Sequence, residues 1–214
     1  MVDFDLQSGT AADYLGCAGM GTLADLLAAD NRLDDELLVS IAQSTGSGVA
    51  VFAAPPEIQP LENVETDQVL NLLNTMQRHY AGVVMDLPTD WTNWALSAVS
   101  ASDLVVLVVE LTVNSLRQAK RRMQLLTNVG VEPGKIVLVV NRVEKKMFKS
   151  INLSDVSSTL NGEVIGSLAL EEPQLGSAQA QGLLAGAVSR KSKFSADVAK
   201  IAADLAARLN FGAE

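Results

Sequence analysis

Residues able to bind a metal or move a proton recur in this chain where its apolar runs end. Asp3 and Asp5 lie two positions apart, so an extended strand directs both carboxylates to one face. Asp86 closes a second apolar run, Val83-Val84-Met85. Glu110 follows a third, Leu104 to Val109, and the pair Asn141-Arg142 follows a fourth, Ile136 to Val140. Acidic groups at the carboxyl edge of an α/β sheet commonly hold Mg²⁺, directly or through its water shell, and orient a water for attack on a phosphate. The competing reading is that each aspartate caps the next helix or turn by accepting from free backbone N–H groups. For any single aspartate capping is the better account; the set, taken with Asn141-Arg142, favours phosphate chemistry.

The elements that must position these groups alternate along the chain. Residues 1–5 read as a strand, followed by a turn through Ser8, Gly9 and Thr10. Leucines at helical spacing predict helices over 22–29 and 33–43, and Val49 to Ala53 is a strand-length apolar run stopped by Pro55-Pro56. Val69, Leu72, Leu73 and Met76 form one stripe of a helix over 65–80, before a strand at 81–86. Helices at 91–100, 114–129, 154–160 and 194–209 then alternate with strands at 104–109, 136–140 and 164–168. The runs Leu104 to Val109 and Ile136 to Val140 are apolar on both faces, as parallel strands covered by helices on both sides require. The fold class expected is α/β, a doubly wound and mostly parallel sheet with helices on both faces. Right-handed crossovers then bring every strand's carboxyl end to one edge.

The length of 214 residues suits a single domain, 1–214, with a full core, and 48% of the residues are hydrophobic. No apolar stretch is long enough to span a membrane, so a cytoplasmic, soluble protein is expected. The lone Cys17 has no thiol partner and is expected to be a buried small hydrophobe. Net charge is −9, divided as −14 before Arg117 and +5 from there onward. Such asymmetry fits either an oriented contact with a partner or a simple difference between solvated helix faces.

Three segments resemble the MinD/ParA family of deviant-Walker ATPases. Val2-Asp3-Phe4-Asp5-Leu6-Gln7-Ser8-Gly9 is similar to that family's Asp-x-Asp strand and switch segment. Val83-Val84-Met85-Asp86-Leu87-Pro88 resembles its Walker B strand, and Val139-Val140-Asn141-Arg142 its adenine-reading step. Order and spacing agree along almost the whole chain. Asp5-Leu6-Gln7 with Gly9, Thr22 to Leu26, Ala53 to Glu57 and Asp86-Leu87-Pro88 look like the CpaE/TadZ branch, which helps to place the Flp (Tad) pilus machinery. The resemblance implies ATP and Mg²⁺ as cofactors, a homodimer, Tad/Flp pilus assembly proteins as partners, and a place at the cell pole or inner membrane face through them. It implies that Asp5 orients the attacking water, with Asp3 a neighbouring acidic group and Gly9 in the nucleotide-binding switch. Asp86 would be the outer-sphere Mg²⁺ carboxylate, Asn141 would bond adenine, and Arg142 would stack on the base or meet an acidic surface.

Two departures qualify the resemblance. The chain contains no Gly-x-x-x-x-Gly-Lys-[Ser/Thr] loop, and the glycine cluster Gly16 to Gly21 has no following lysine. The phosphate loop and its strand would precede Asp3, so they are expected to be lost or to lie outside this polypeptide, the latter preferred. As written, the chain is expected to bind ATP poorly and to hydrolyse little or none. Relatives also carry a proline soon after the strand at 164–168, whereas Pro173 comes late. A non-catalytic scaffold and a ParA-type DNA-partitioning ATPase are therefore the alternatives.

Other features have plainer readings. Trp91 and Trp94 share a helix face and are expected in the core, with an interface anchor as the alternative. His79 ends a helix, where a cation suits the dipole. The basic groups Arg117, Lys120, Arg121 and Arg122, then Arg142, Lys145, Lys146 and Lys149, then Arg190, Lys191 and Lys193, fit solvated faces better than DNA contacts. The last helix, with Phe194, Val198, Ile201, Leu205 and Leu209 on one stripe, is expected to pack on the sheet.

Overall fold

In the computed structural model, residues 1–17, 19–144, 151–189 and 191–211 are described. Lys145, Lys146, Lys149 and Arg190 of the basic clusters lie outside them. The described elements run β1 (Val2–Asp3), α1 (Ala11–Tyr14), α2 (Leu23–Leu27), α3 (Asp35–Ile41), β2 (Gln43–Ser44), β3 (Ala50–Val51), α4 (Thr66–His79), β4 (Met85–Asp86) and α5 (Asn93–Ser100). They continue β5 (Val105–Glu110), α6 (Val113–Asn128), β6 (Ile136–Val143), α7 (Leu153–Leu160), β7 (Glu163–Ala169), α8 (Glu172–Ala180), α9 (Ala185–Val188) and α10 (Lys193–Arg208). The contacts group them into two units, Met1–Ala98 with Ala178–Leu184, and Val99–Ser177 with Ala185–Glu214.

In the first unit β1 is the organising strand. It pairs in parallel with β4, placing Val2 beside Met85 and Asp3 beside Asp86. On its other side the Asp3 N–H donates to the Phe52 carbonyl at 3.0 Å, and Val2 bridges Phe52 in parallel. The run predicted at 49–53 thus serves two neighbours, because β3 also pairs antiparallel with β2. Val2, Phe4, Leu6, Phe52, Leu72, Met76 and Trp94 form the centre of this unit's core. The α4 stripe buries Val69, Leu72, Leu73 and Met76 as its spacing requires. Its start is fixed by a capping box, in which the Gln68 side chain accepts from the Glu65 N–H at 3.0 Å. Trp94 is buried, with its ring 5.8 Å from Phe4 and its Nε1–H directed to the Leu61 carbonyl at 3.4 Å. Trp91 is half-buried, and so is Cys17, which was expected to be fully enclosed.

The second unit is a parallel sheet in the order β5-β6-β7. Its central strand β6 buries Ile136 to Val140 without interruption, as a run apolar on both faces should. β5 behaves differently: Leu107 and Val109 are buried, but Val106 is 40% and Val108 52% exposed, so one of its two apolar faces is open. α10 packs on β7 at a close approach. A Cβ on Gly166 would lie 2.5 Å from Ile201 Cγ1, so only glycine lets Ile201 seat there. Thr112, Asn152 and Ser192 cap α6, α7 and α10 by accepting from backbone N–H groups three residues on.

Replacing Trp94 by Ala is expected to destabilise the first unit by about 3–5 kcal/mol, the cost of emptying a large aromatic site in a packed core. Urea denaturation followed by circular dichroism measures it; a loss below about 1 kcal/mol would place Trp94 outside the core.

Candidate functional site

The carboxyl ends of β1 and β4 bring Asp3 and Asp86 side by side in register. Asp3 is fully buried and both of its oxygens are engaged: Oδ1 accepts from the Asp5 N–H at 3.2 Å and Oδ2 from the Ala11 N–H at 3.0 Å. The loop between β1 and α1 is therefore folded around this one carboxylate. Gly9 passes directly over it, since a Cβ there would lie 2.5 Å from Oδ1 and 2.5 Å from the Ala54 Cβ. Asp5 builds the same loop from within, accepting on Oδ1 from the Ser8 N–H at 3.0 Å and the Gln7 N–H at 3.3 Å. The capping and functional readings of Asp3 and Asp5 thus meet in one place. Asp3 is spent on the loop, whereas Asp5 keeps its second oxygen without a hydrogen bond among the described residues.

Asp86 is exposed, and no hydrogen bond to its carboxylate is formed among the described residues. Its carboxyl lies above the usual carboxylate range because loss of hydration, then the charges of Asp3 and Asp5, disfavour ionisation. Burial likewise pushes Asp3 up, against the two backbone bonds that pull it down, with a further raising contribution from Asp5. Three mutually repelling carboxylates make a region of negative potential suited to a cation. Among the described residues no group of three His, Cys, Asp or Glu side chains converges to enclose a metal directly. The free oxygens of Asp86 and Asp5 instead fit Mg²⁺, which keeps most of its waters and is held by one or two carboxylates together with phosphate oxygens.

In the second unit the end of β6 is irregular. The register against β7 shifts between Val140 and Val143, and Arg142 sits at φ +54°, a conformation uncommon for a side-chain-bearing residue. Asn141 stabilises it by accepting the Arg142 N–H on Oδ1 at 2.8 Å, and among the described residues its amide nitrogen has no hydrogen-bond partner and can donate. Arg142 itself meets the acidic surface, its guanidinium 3.5 Å from Glu110 with both side chains exposed. The loop after β7 is fastened to α10 by two carboxylates, Asp197 and Glu171, whose roles no spacing in the sequence announces. Asp197 accepts from the Ala169 N–H at 3.1 Å, and Glu171 accepts from Ser192 Oγ and the N–H groups of Lys193 and Phe194 at the start of α10. Leu170 in turn donates to the Val143 carbonyl at 3.1 Å, so this fastening reaches the Asn141 segment. Pro173 falls within the first turn of α8, where its fixed φ suits a helix start. No local pattern announces Glu171, because its partners lie more than twenty residues away.

No family model matches the chain. The septum site-determining protein MinD of Bacillus subtilis (strain 168) is 26% identical over 147 residues, covering 67% of this chain and 49% of the relative. The chain thus spans about half the length of that curated relative. The ParA family ATPase from Chlorobium tepidum TLS superposes with a TM-score of 0.84 at 20% identity, covering 95% of this chain and 84% of that one. MinD of Pyrococcus horikoshii OT3, complexed with Mg-ADP, gives 0.79 at 17% identity, covering 95% and 81%. The MinC:MinD complex of Aquifex aeolicus gives 0.76 at 20% identity, with the same coverage. The chain therefore has the MinD/ParA P-loop NTPase-like α/β fold, with parallel strands and intervening helices.

The pH dependence of stability follows from the carboxylates. A carboxyl whose folded pKa is raised binds its proton more tightly in the folded state. The stability this contributes is complete below the unfolded value of 3.8 and is lost as pH rises through the folded pKa. Asp86→Asn is expected to raise the melting temperature at pH 7 and to leave it nearly unchanged near pH 3. Equal melting temperatures of both proteins at pH 7 would show that Asp86 carries no electrostatic penalty.

Proposed function

We propose that this chain is a CpaE/TadZ-like protein built on a deviant-Walker ATPase fold. Its carboxylate end acts on Mg²⁺ and a nucleoside triphosphate, and its cellular role is to localise pilus assembly. One observation supports this above the others: Asp3 and Asp86 stand in register on adjacent parallel strands, and the loop built on Asp3 presents a free Asp5 oxygen beside them. In this reading Asp5 orients a water for attack on the γ-phosphate, and Asp86 holds Mg²⁺ through its water shell. Asp3 and Gly9 shape the loop, while Asn141 donates its free amide N–H to the adenine ring and Glu110 keeps Arg142 to one side. Bound Mg²⁺ would offset the charge of the phosphates. The chain's own residues supply no lysine-bearing phosphate loop. Binding is accordingly weak, and hydrolysis is little or none without that electrostatic stabilisation.

The same reading makes the functional form a homodimer working with Tad/Flp pilus assembly proteins in the cytoplasm, held at the pole or inner membrane face by those partners. No helix among the described residues is long and apolar enough to cross a membrane. A second reading, a ParA-type DNA-partitioning ATPase, is favoured by the exposed Arg117, Lys120 and Arg121 on α6. Duplex DNA retarded at low salt and released as salt rises would favour it.

Titration of the chain with a fluorescent ATP analogue tests the proposal. The expected result is weak binding that requires Mg²⁺ and falls about tenfold or more in Asp86→Asn, the loss of roughly 1.4 kcal/mol or more of interaction. ATP turnover is expected to stay at the buffer rate. Binding that ignores both Mg²⁺ and Asp86, or no binding at all, would leave a scaffold acting through protein contacts alone.

A further inference from the structure

Two helices far apart in the chain end in the same way, and both ends belong to the first unit. At the end of α1 the Cys17 N–H donates to the Ala12 carbonyl at 2.9 Å and the Gly16 N–H to the Asp13 carbonyl at 3.2 Å, with Gly16 left-handed at φ +64°. At the end of α8 the Leu183 N–H donates to the Ala178 carbonyl at 3.0 Å and the Gly182 N–H to the Gln179 carbonyl at 3.1 Å, with Gly182 at φ +60°. α6 closes by the same pattern at Gly130, where the Val131 N–H donates to the Leu126 carbonyl, but a Cβ on Gly130 would meet nothing within 4 Å. Gly16 and Gly182 instead face each other. A Cβ on Gly16 would lie 2.5 Å from the Gly182 carbonyl oxygen, and one on Gly182 would lie 3.0 Å from both the Asp13 carbonyl oxygen and the Gly16 Cα. Backbone rests on backbone, so the segment Ala178–Leu184 is seated on the end of α1.

The seat is a single helical turn. α1 has four residues, of which only Ala11 is buried. One turn does not persist by its own bonds, because closing it fixes several residues for one hydrogen bond. α1 is therefore held from outside at both ends: Asp3 Oδ2 accepts from the Ala11 N–H at its start, and Gly182 covers Asp13 and Gly16 at its finish. We propose that Ala178–Leu184 is a strap latched to α1, and that α1 couples this strap to the loop organised by Asp3. Releasing either tie lets the turn fray, and the fraying loosens the other tie. The latch is weak enough to open. It brings together the carbonyl ends of two helices, whose dipoles repel, and Leu183 and Leu184 beside it are 44% and 56% exposed, so little apolar surface is covered there. A binding event that draws the strap away thus disorders the loop carrying Asp5, and one that orders the loop seats the strap, since coupling between two sites acts equally in both directions. Neither half of the coupling requires a bound nucleotide.

Amide hydrogen exchange of the full chain, followed by nuclear magnetic resonance, reads both ties. Gly182→Ala puts a Cβ on a left-handed residue at the contact, and is expected to speed exchange of the Asp5 and Ala11 amides, the two bonded to Asp3, by about tenfold or more. Gly9→Ala, whose Cβ would press on the Asp3 carboxylate, is expected to speed the Leu183 amide by a similar factor. Gly130→Ala removes the same kind of helix end where no neighbour faces it, and is expected to speed Val131 while leaving Asp5, Ala11 and Leu183 unchanged. Should Gly9→Ala lose the circular dichroism spectrum of the parent, Asp3→Asn, which withdraws one of the two acceptors, is read in its place. Unchanged Asp5 and Ala11 amides in Gly182→Ala would overturn the coupling, as would an unchanged Leu183 amide in the Asp3-loop variant. Acceleration of Asp5 and Ala11 by Gly130→Ala to the same degree would also overturn it, because the effect would then be a general loss of stability.

Discussion

A carboxylate removed from water must recover its lost hydration through hydrogen bonds, and that requirement shapes the first unit. Asp3 is fully buried at the end of β1, and its two oxygens are met by the N–H groups of Asp5 and Ala11. Those bonds decide the path of the loop, the start of α1 and the orientation of Asp5. Gly9 is a consequence of the same constraint, since the loop crosses the carboxylate too closely for any Cβ. The pairing of β1 with β4 then sets Asp86 beside this assembly, and loss of hydration there, followed by the charges of Asp3 and Asp5, raises the pKa of Asp86. A buried structural acid thus holds two more accessible acids in position.

The second unit solves an equivalent problem at the end of β6. There the chain bends through a left-handed Arg142, which Asn141 bonds locally and Glu110 meets across the sheet. The next strand is held by Asp197 and Glu171, both bonded to backbone N–H groups rather than to surface cations alone. In each unit, carboxylates accepting from the backbone fix a loop at a strand's carboxyl end, and an accessible polar group is carried by that loop or strand end. Such an arrangement fits an α/β fold whose ligands bind at the carboxyl edge of its strands.

The long elements were legible in the sequence because each has a period that burial enforces. α4 is found within one residue of its expected ends, and β6 begins at Ile136 as the spacing put it but runs three residues further, to Val143. Short elements without an apolar period were not legible, although α2 and α3, carried by their leucine spacing, were. α1, α8 and α9 have little or no apolar period, and the β2–β3 pairing depends on a turn between two-residue strands. The apolar run at β5 reads like the one at β6, yet only one of its faces is covered; composition cannot tell a strand inside a sheet from one at its edge. Asp3, Asp5, Asp86 and Asn141 were visible as residues at strand ends. The use of Asp3 as the loop's organiser depends on bonds to Asp5 and Ala11, which no spacing rule prescribes. The contributions of Glu171 and Asp197 come from contacts more than twenty residues distant.

In the proposed function, the loop organised by Asp3 and the end of β4 form one cation site that works together with a triphosphate. Paramagnetic broadening by Mn²⁺, a mimic of Mg²⁺, in the amide nuclear magnetic resonance spectrum reads this directly. With an ATP analogue present, substoichiometric Mn²⁺ should first erase the signals of Asp5 to Gly9 and of Asp86 and Leu87, and much less so without the analogue. Broadening centred on the acidic stretch Asp34 to Glu36, or the same broadening with and without the analogue, would contradict the claim.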